Sequence, residues 1–222
     1  MPNNAAYIVF LLIKLSKHAH KYSLTRLRTF KKNISLQDII RTTIMQHPLH
    51  LFKHCPKCGS TEFTINDEKS KRCDSCGFIY YFNPLAATVG IIIDKDNRIL
   101  VARRAKEPAK GTLDLPGGFS DSYETAEEGI AREVLEETGL VVTETRYLFS
   151  LPNTYLYSGM ELHTMDLFFL CKVKNCDDLI ANDDVDKLQW IDINMLDSKD
   201  FGLKSISKSI DIFKEMYKNH LL

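Results

Sequence analysis

The chain has 222 residues, enough for one full domain and a small additional module, and its 29 Lys+Arg cancel its 29 Asp+Glu. The molecule as a whole therefore carries no net field that would draw nucleic acid or an anionic membrane. The balance hides an asymmetry, because Asp38 is the one acidic residue before residue 60, whereas acidic residues concentrate after residue 120.

Residues 1–44 form a basic leader. Its apolar run YIVFLLI (7–13) is far shorter than the ~20 residues a membrane span needs. No basic residues precede it and no small-residue cleavage site follows, so it does not read as a secretion signal. The basic residues after it read as a solvated arm, and Met45 offers an alternative start of translation. Residues 45–82 hold four of the six cysteines, in Cys55-Pro-Lys-Cys58-Gly and Cys73-Asp-Ser-Cys76-Gly. Each C-x-x-C brings two thiolates within reach of one ion, and a short hairpin between the pairs would close a four-thiolate Zn²⁺ site. With all four positions filled by protein, the zinc would be structural. Thiolate-held metal fits a reducing cytoplasm.

From residue 83 the pattern changes to strands at 86–93 and 98–104, joined by the polar turn Asp94-Lys-Asp-Asn97. Pro116-Gly117-Gly118 then leads into a segment of helical composition that Gly139 ends. On that helix Glu133, Glu136 and Glu137 fall at i, i+3 and i+4 and share one side, while Ile130, Ala131, Val134 and Leu135 are expected to face a core. Crowded carboxylates repel unless a hard cation neutralises them; a solvated acidic face is the plain alternative, and Mg²⁺ or Mn²⁺ bridging to phosphate the functional one. Further strands are expected at 146–157, 163–173 and 184–193, followed by helix over 194–222 with Ile206, Ile210 and Phe213 as a core stripe. Strands around one central helix, with a second helix at the end, predict a mixed α/β sandwich. Arg103 and Arg104 are candidates for phosphate contact, though arginines at a strand end are often simply solvated. Phe119, Tyr155 and Tyr157 are candidates to touch a base, with ordinary strand aromatics as the alternative.

The segment 118–140 meets every position of G-x5-E-x7-R-E-U-x-E-E-x-G-U, where U is apolar, and so resembles the Nudix box. The resemblance covers residues 83–222 and implies an α/β/α sandwich that hydrolyses nucleoside diphosphates linked to another group, using Mg²⁺ or Mn²⁺. It makes Glu133, Glu136 and Glu137 the metal-binding carboxylates, with Glu133 the first choice for the base that activates water. Arg132 and Glu124 would brace the loop, and Gly118 would open it. Asp184, with Asp183 and Asp186 as neighbours in competition, is the candidate for an additional metal ligand. A four-cysteine ribbon before such a domain resembles the NADH pyrophosphatase branch, which implies a homodimer. The branch signature S-Q-P-W-P-F-P-x-S is not met by Ser150-Leu-Pro-Asn-Thr-Tyr-Leu-Tyr-Ser158, which leaves the nucleotide open. The competing classes are a non-catalytic nucleotide sensor and an RNA-end pyrophosphohydrolase; the intact glutamate set argues against the first, and the second predicts salt-dependent RNA binding.

Overall fold

The computed structural model describes residues 47–177, 179–180 and 185–221. The leader, Asp183 and Asp184 lie outside the described residues, and so do the side chains of Tyr155 and Asp186.

The cysteine-rich segment folds as a three-stranded antiparallel sheet of β1 (Phe63–Asp67), β2 (Ser70–Cys73) and β3 (Ile79–Tyr81). Its two knuckles turn through Gly59 and Gly77, both in the left-handed region that glycine tolerates best. Phe63 packs with Cys55 and Cys73, flanked by Phe52, Phe78 and Tyr80.

The remaining strands build two sheets. One has the order β7-β4-β9-β8, from β7 (Gly117–Phe119), β4 (Leu85–Ile92), β9 (Met160–Val173) and β8 (Val142–Tyr157). Within it β4 and β9 run parallel and the other pairs antiparallel. The other has the order β10-β5-β6, from β10 (Val185–Asp192), β5 (Arg98–Arg104) and β6 (Leu113–Asp114). Helices α1 (Ala126–Thr138) and α2 (Lys204–Lys218) cover opposite faces. Strand alternation divides the core between them. Phe169, Ile92 and Cys171 pack with Ile130 and Val134 of α1, whereas Phe168, Val89 and Ile91 pack with Ile206, Ile210 and Phe213 of α2. Gly90 lets α1 sit close, since a Cβ there would lie 3.2 Å from both Ile130 and Val134. The expected α/β/α sandwich is present.

Three expectations need correction. Residues 194–203 do not belong to a continuous α-helix: two short 3-10 helices, Ile193–Met195 and Ser198–Asp200, precede α2. Asp192 and Asp197 accept from the backbone N–H groups of Asn194 and Lys199, offering the chain a local alternative to the helix. Strands β8 and β9 extend further than the sequence pattern suggested and form one long hairpin. Ser158 and Gly159 turn it with φ values of 48° and 78°, the combination a two-residue type I′ turn requires. Finally, Leu135 is exposed rather than buried, and Gly129 and Thr138 join Ile130 and Val134 on the inner face of α1.

Candidate active site

Helix α1 is fixed at both ends by local chemistry. Thr125 caps it by accepting from the Glu128 N–H at 3.2 Å, while the Glu128 carboxylate accepts from the Thr125 N–H at 2.8 Å. Gly139 closes it at φ 72°. The helix thereby holds its charged side against Gly117 and Gly118, which follow the bend at Pro116 and, rather than forming the turn itself, open strand β7 by pairing with β4.

Arg132 organises that side. Its Nη2 donates to Glu124 Oε1 at 2.7 Å and to the Phe119 carbonyl at 3.1 Å, and its Nε donates to Glu124 Oε2 at 3.1 Å. Its Nη1 reaches Glu133 Oε1 at 2.8 Å and Glu136 Oε2 at 3.1 Å. The Arg132 fork holds the Glu124 carboxyl below its ordinary range, helped by the Asp121 N–H. Burial pushes the Glu133 carboxyl up, with Arg132 pulling the other way. Glu133 lies directly under Gly118, where a Cβ would come within 2.6 Å of its carboxylate. Glu137 Oε2 accepts from the Gly117 N–H at 2.9 Å. Glu133 and Glu137 thus bracket the glycine pair, while Glu136 is half exposed. The three carboxylates are not gathered around one point: among the described residues, only the cysteines bring three or more metal-ligating side chains within 4.8 Å of one another. Arg132 instead draws Glu133 and Glu136 toward itself. The oxygen donors and their charge suit a hard divalent cation, and such an ion would compete with Arg132 for them.

A cavity of about 370 Å³ opens beside this pair. Gly117, Gly118 and Glu137 line one part of it, and Phe119 and Tyr157, both substantially exposed, stand at its rim. Arg103 and Arg104 also line it, but their guanidinium groups are engaged by the chain. Arg103 Nη1 donates to the Gly111 carbonyl at 2.5 Å; Arg104 Nε donates to the Pro108 carbonyl at 2.7 Å, and its Nη1 pairs with Asp114. These contacts pin the loop between β5 and β6. Burial raises the Asp114 carboxyl above its usual value, opposed by Arg104. Deep in the cavity lie Asn153, Thr164 and Asp166, all buried. No sequence motif singles out these three or Asp114. A charged residue within the apolar run HTMDLFFLCKV was the available signal, since an acid is almost never buried without partners.

The second site is the ribbon. Cys55 and Cys76 Sγ atoms lie 3.8 Å apart and those of Cys58 and Cys73 3.6 Å apart. A tetrahedral ion with Zn–S bonds of about 2.3 Å needs sulfurs roughly 3.8 Å apart, so the four thiols fit a zinc ion. Burial works against the Cys73 thiolate, but hydrogen bonds from the Cys76 backbone and neighbouring groups bring its pKa down to about 7.

Comparison with known proteins decides the family. The family model described as NUDIX domain matches residues 84–210, more than half of the chain. The chain belongs to the Nudix family. Among relatives, an ADP-ribose pyrophosphatase of Methanocaldococcus jannaschii is 35% identical over 140 residues, covering 62% of this chain and 79% of its own. The NAD-capped RNA hydrolase NudC of Vibrio cholerae is 32% identical over 114 residues, covering 51% of this chain but 42% of its own. This Nudix chain thus spans less than half the length of that NudC relative. A Nudix hydrolase structure from Nitrosomonas europaea shares the fold at TM-score 0.57 and 22% identity, covering 75% of this chain and 93% of its own. Among the described residues no helix is long and apolar enough to cross a membrane.

Proposed function

We propose that this Nudix protein hydrolyses the pyrophosphate bond of a nucleoside diphosphate linked to a second group, with ADP-ribose and NAD-like molecules as the substrate class. The observation that supports this best is the bracketing of the Gly117–Gly118 pair by Glu133 and Glu137 at the edge of a cavity of about 370 Å³, of a size that suits a small-molecule ligand. Glu133, Glu136 and Glu137 would hold Mg²⁺ or Mn²⁺; when bound, the metal screens the phosphate oxygens and lowers the pKa of coordinated water. Glu133, set directly beneath Gly118, is the first choice to take the proton from the attacking water. Arg132 and Glu124 keep the loop and helix in register, so that positioning rather than new bonding supplies the acceleration. Phe119 and Tyr157 at the rim would contact the base, and Asp184 would add a ligand from beyond the box.

In the same reading residues 45–82 form a ribbon that holds structural Zn²⁺ through Cys55, Cys58, Cys73 and Cys76. The Nudix domain occupies 83–222, and the protein works as a homodimer in the reducing cytoplasm. A panel of ADP-ribose, NADH, NAD, FAD, diadenosine polyphosphates, nucleoside triphosphates and NAD-capped RNA, assayed with Mg²⁺ and with Mn²⁺ and read by product mass, tests the activity. Release of a nucleoside monophosphate from an ADP-linked substrate, abolished by Glu137→Gln, is the expected result. Absence of turnover on the whole panel would leave the nucleotide-sensor reading in its place, and hydrolysis confined to capped RNA, with steep salt dependence, would favour the RNA-end reading.

A further inference from the structure

Asn153 sits on β8 directly opposite Thr164 on β9, with Asp166 two residues further along the same face. It is 5% exposed, and its side-chain oxygen Oδ1 is buried without a hydrogen-bond partner. A buried amide oxygen left unpaired keeps its desolvation cost uncompensated, so chains seldom keep one without a use for it. Thr88 Oγ1 is the other such atom among the described residues; Thr88 also lines the cavity, but strand alternation turns its side chain to the face toward α1.

The neighbours of Asn153 define what it can receive. The Thr164 hydroxyl donates to Asp166 Oδ1 at 2.5 Å, and the Ser205 hydroxyl, from the first turn of α2, donates to Asp166 Oδ2 at 2.5 Å. Each hydroxyl has one proton to give, and both are spent on Asp166. What remains toward the cavity is the lone pairs of Thr164 and Asp166 and the carboxamide of Asn153, which carries two N–H donors beside its buried carbonyl oxygen. Thr164 and Asp166 keep the floor rich in acceptors whichever way the amide is turned. The walls beside it, from Ala87, Leu203 and Ile206, are apolar. An anionic phosphate would be repelled there; a neutral group carrying N–H or O–H donors would be held.

We propose that Asn153 is a specificity-determining residue, and that with Asp166 and Thr164 it accepts hydrogen bonds from the neutral end of the substrate, a base amino group or a ribose hydroxyl. This rests on the hydrolase reading above, with the phosphates held at the glycine pair and the neutral end reaching the floor. Sites built to satisfy a donor discriminate strongly against analogues that lack it, because the site's own groups are then left unpaired.

The test compares the full-length wild type with Asn153→Leu and Asn153→Ser on ADP-ribose and a series of analogues, each lacking one donor: the hypoxanthine form, in which an oxo group replaces the amino group, and forms lacking single hydroxyls of either ribose. At least one analogue is expected to lose about 10-fold or more in kcat/KM with the wild type, mainly through KM. In both variants that penalty should shrink to within about 2-fold. Which analogue shows it identifies the base or the ribose as the group on the floor. Asn153→Leu should also melt no lower than the wild type, since it removes an unpaired buried oxygen. A wild type indifferent to every donor, or a penalty undiminished in both variants, overturns the proposal. If the wild type turns over nothing, it is the hydrolase reading that fails; calorimetric binding of the corresponding nucleoside monophosphates, with and without each donor, then decides the role of Asn153 by the same ratio.

Discussion

Gly117 and Gly118 are adjacent and chemically identical, yet their substitution should have different consequences. Gly117 has φ 149°, and a Cβ there would fall 2.1 Å from the Thr88 carbonyl oxygen and 2.9 Å from the Val89 Cα. Backbone of a buried strand cannot give way, so Gly117→Ala should cost more than about 3 kcal/mol or prevent folding. At Gly118 the three atoms nearest the new methyl would all belong to the carboxylate of Glu133, at 2.6 Å. That side chain can turn aside at a cost of about 1 kcal/mol. Gly118→Ala should therefore melt within a few degrees of the wild type while losing at least about 10-fold in kcat, because Glu133 is displaced from beneath the glycine pair. Thermal melts paired with turnover check both; a fully active Gly118→Ala would remove Glu133 from the chemistry. Tyr123 is a further residue under local strain. It adopts φ 73° and is fully exposed, so its side chain makes little contact that could offset the left-handed backbone. Tyr123→Gly is expected to stabilise the fold by about 0.5–1 kcal/mol, visible as a raised midpoint in denaturant; an unchanged or lower midpoint would mean that the ring has a partner in solution.

Among the elements, the turn between β4 and β5 shows how a local motif sets a register. Asp94 accepts from the Asp96 N–H at 2.9 Å, the Arg98 N–H at 2.9 Å and Arg98 Nε at 2.7 Å. Burial alone would raise its pKa, but these donors outweigh burial and hold it below the ordinary value. A carboxylate with a depressed folded pKa contributes stability that is fully present above its unfolded value near about 4 and is lost as pH falls through the folded value. Asp94→Asn should thus cost about 1–3 kcal/mol at neutral pH, and less as the pH falls below about 4, where the wild type loses the same contribution. Denaturant midpoints across pH 2–7 measure this, and parallel curves for the two proteins would contradict it. This turn and the end of α1 were legible in the sequence because their determinants are contiguous: Asp94 through Asn97 in one case, the run from Glu133 to Gly139 in the other; the Thr125–Glu128 cap that starts α1 was shown by the structure. The floor of the cavity was not legible. Asn153, Asp166 and Ser205 meet only because the register of the long β8–β9 hairpin sets Asn153 opposite Thr164 and α2 returns across that face, and no short-range spacing encodes such a meeting. Helix patterning also misjudged Leu135 and the residues ahead of α2, where the aspartate-capped turns outcompeted an apparently helical composition.

At the scale of the whole molecule, the ribbon and the sandwich differ in what holds them together. The sandwich has two extensive apolar clusters, one against each helix. The ribbon's cluster has only Cys55, Phe63 and Cys73 as buried members, two of them cysteines, and Leu49 is the one further buried apolar residue among its described residues. A core that small cannot offset the conformational entropy of its own chain, so the thiolate site must supply the remaining stability. Freshly purified protein should accordingly contain one zinc ion per chain by elemental analysis. Removing it with a strong chelator, or substituting Cys73→Ser, should melt residues 55–81 separately at lower temperature while the sandwich keeps its own transition. Amide exchange would show this directly: protection lost across β1–β3 and retained in β4, β9 and α1. Turnover of a small nucleotide should stay within about 2-fold, since among the described residues none of the ribbon lines the cavity described above. Two outcomes would contradict this division of labour. Absence of zinc with an intact ribbon would mean that the hairpin is held by its backbone and aromatic contacts alone. Loss of protection in both parts at once would mean that the sandwich draws stability from the ribbon, and the metal would then act on the whole fold rather than on one module.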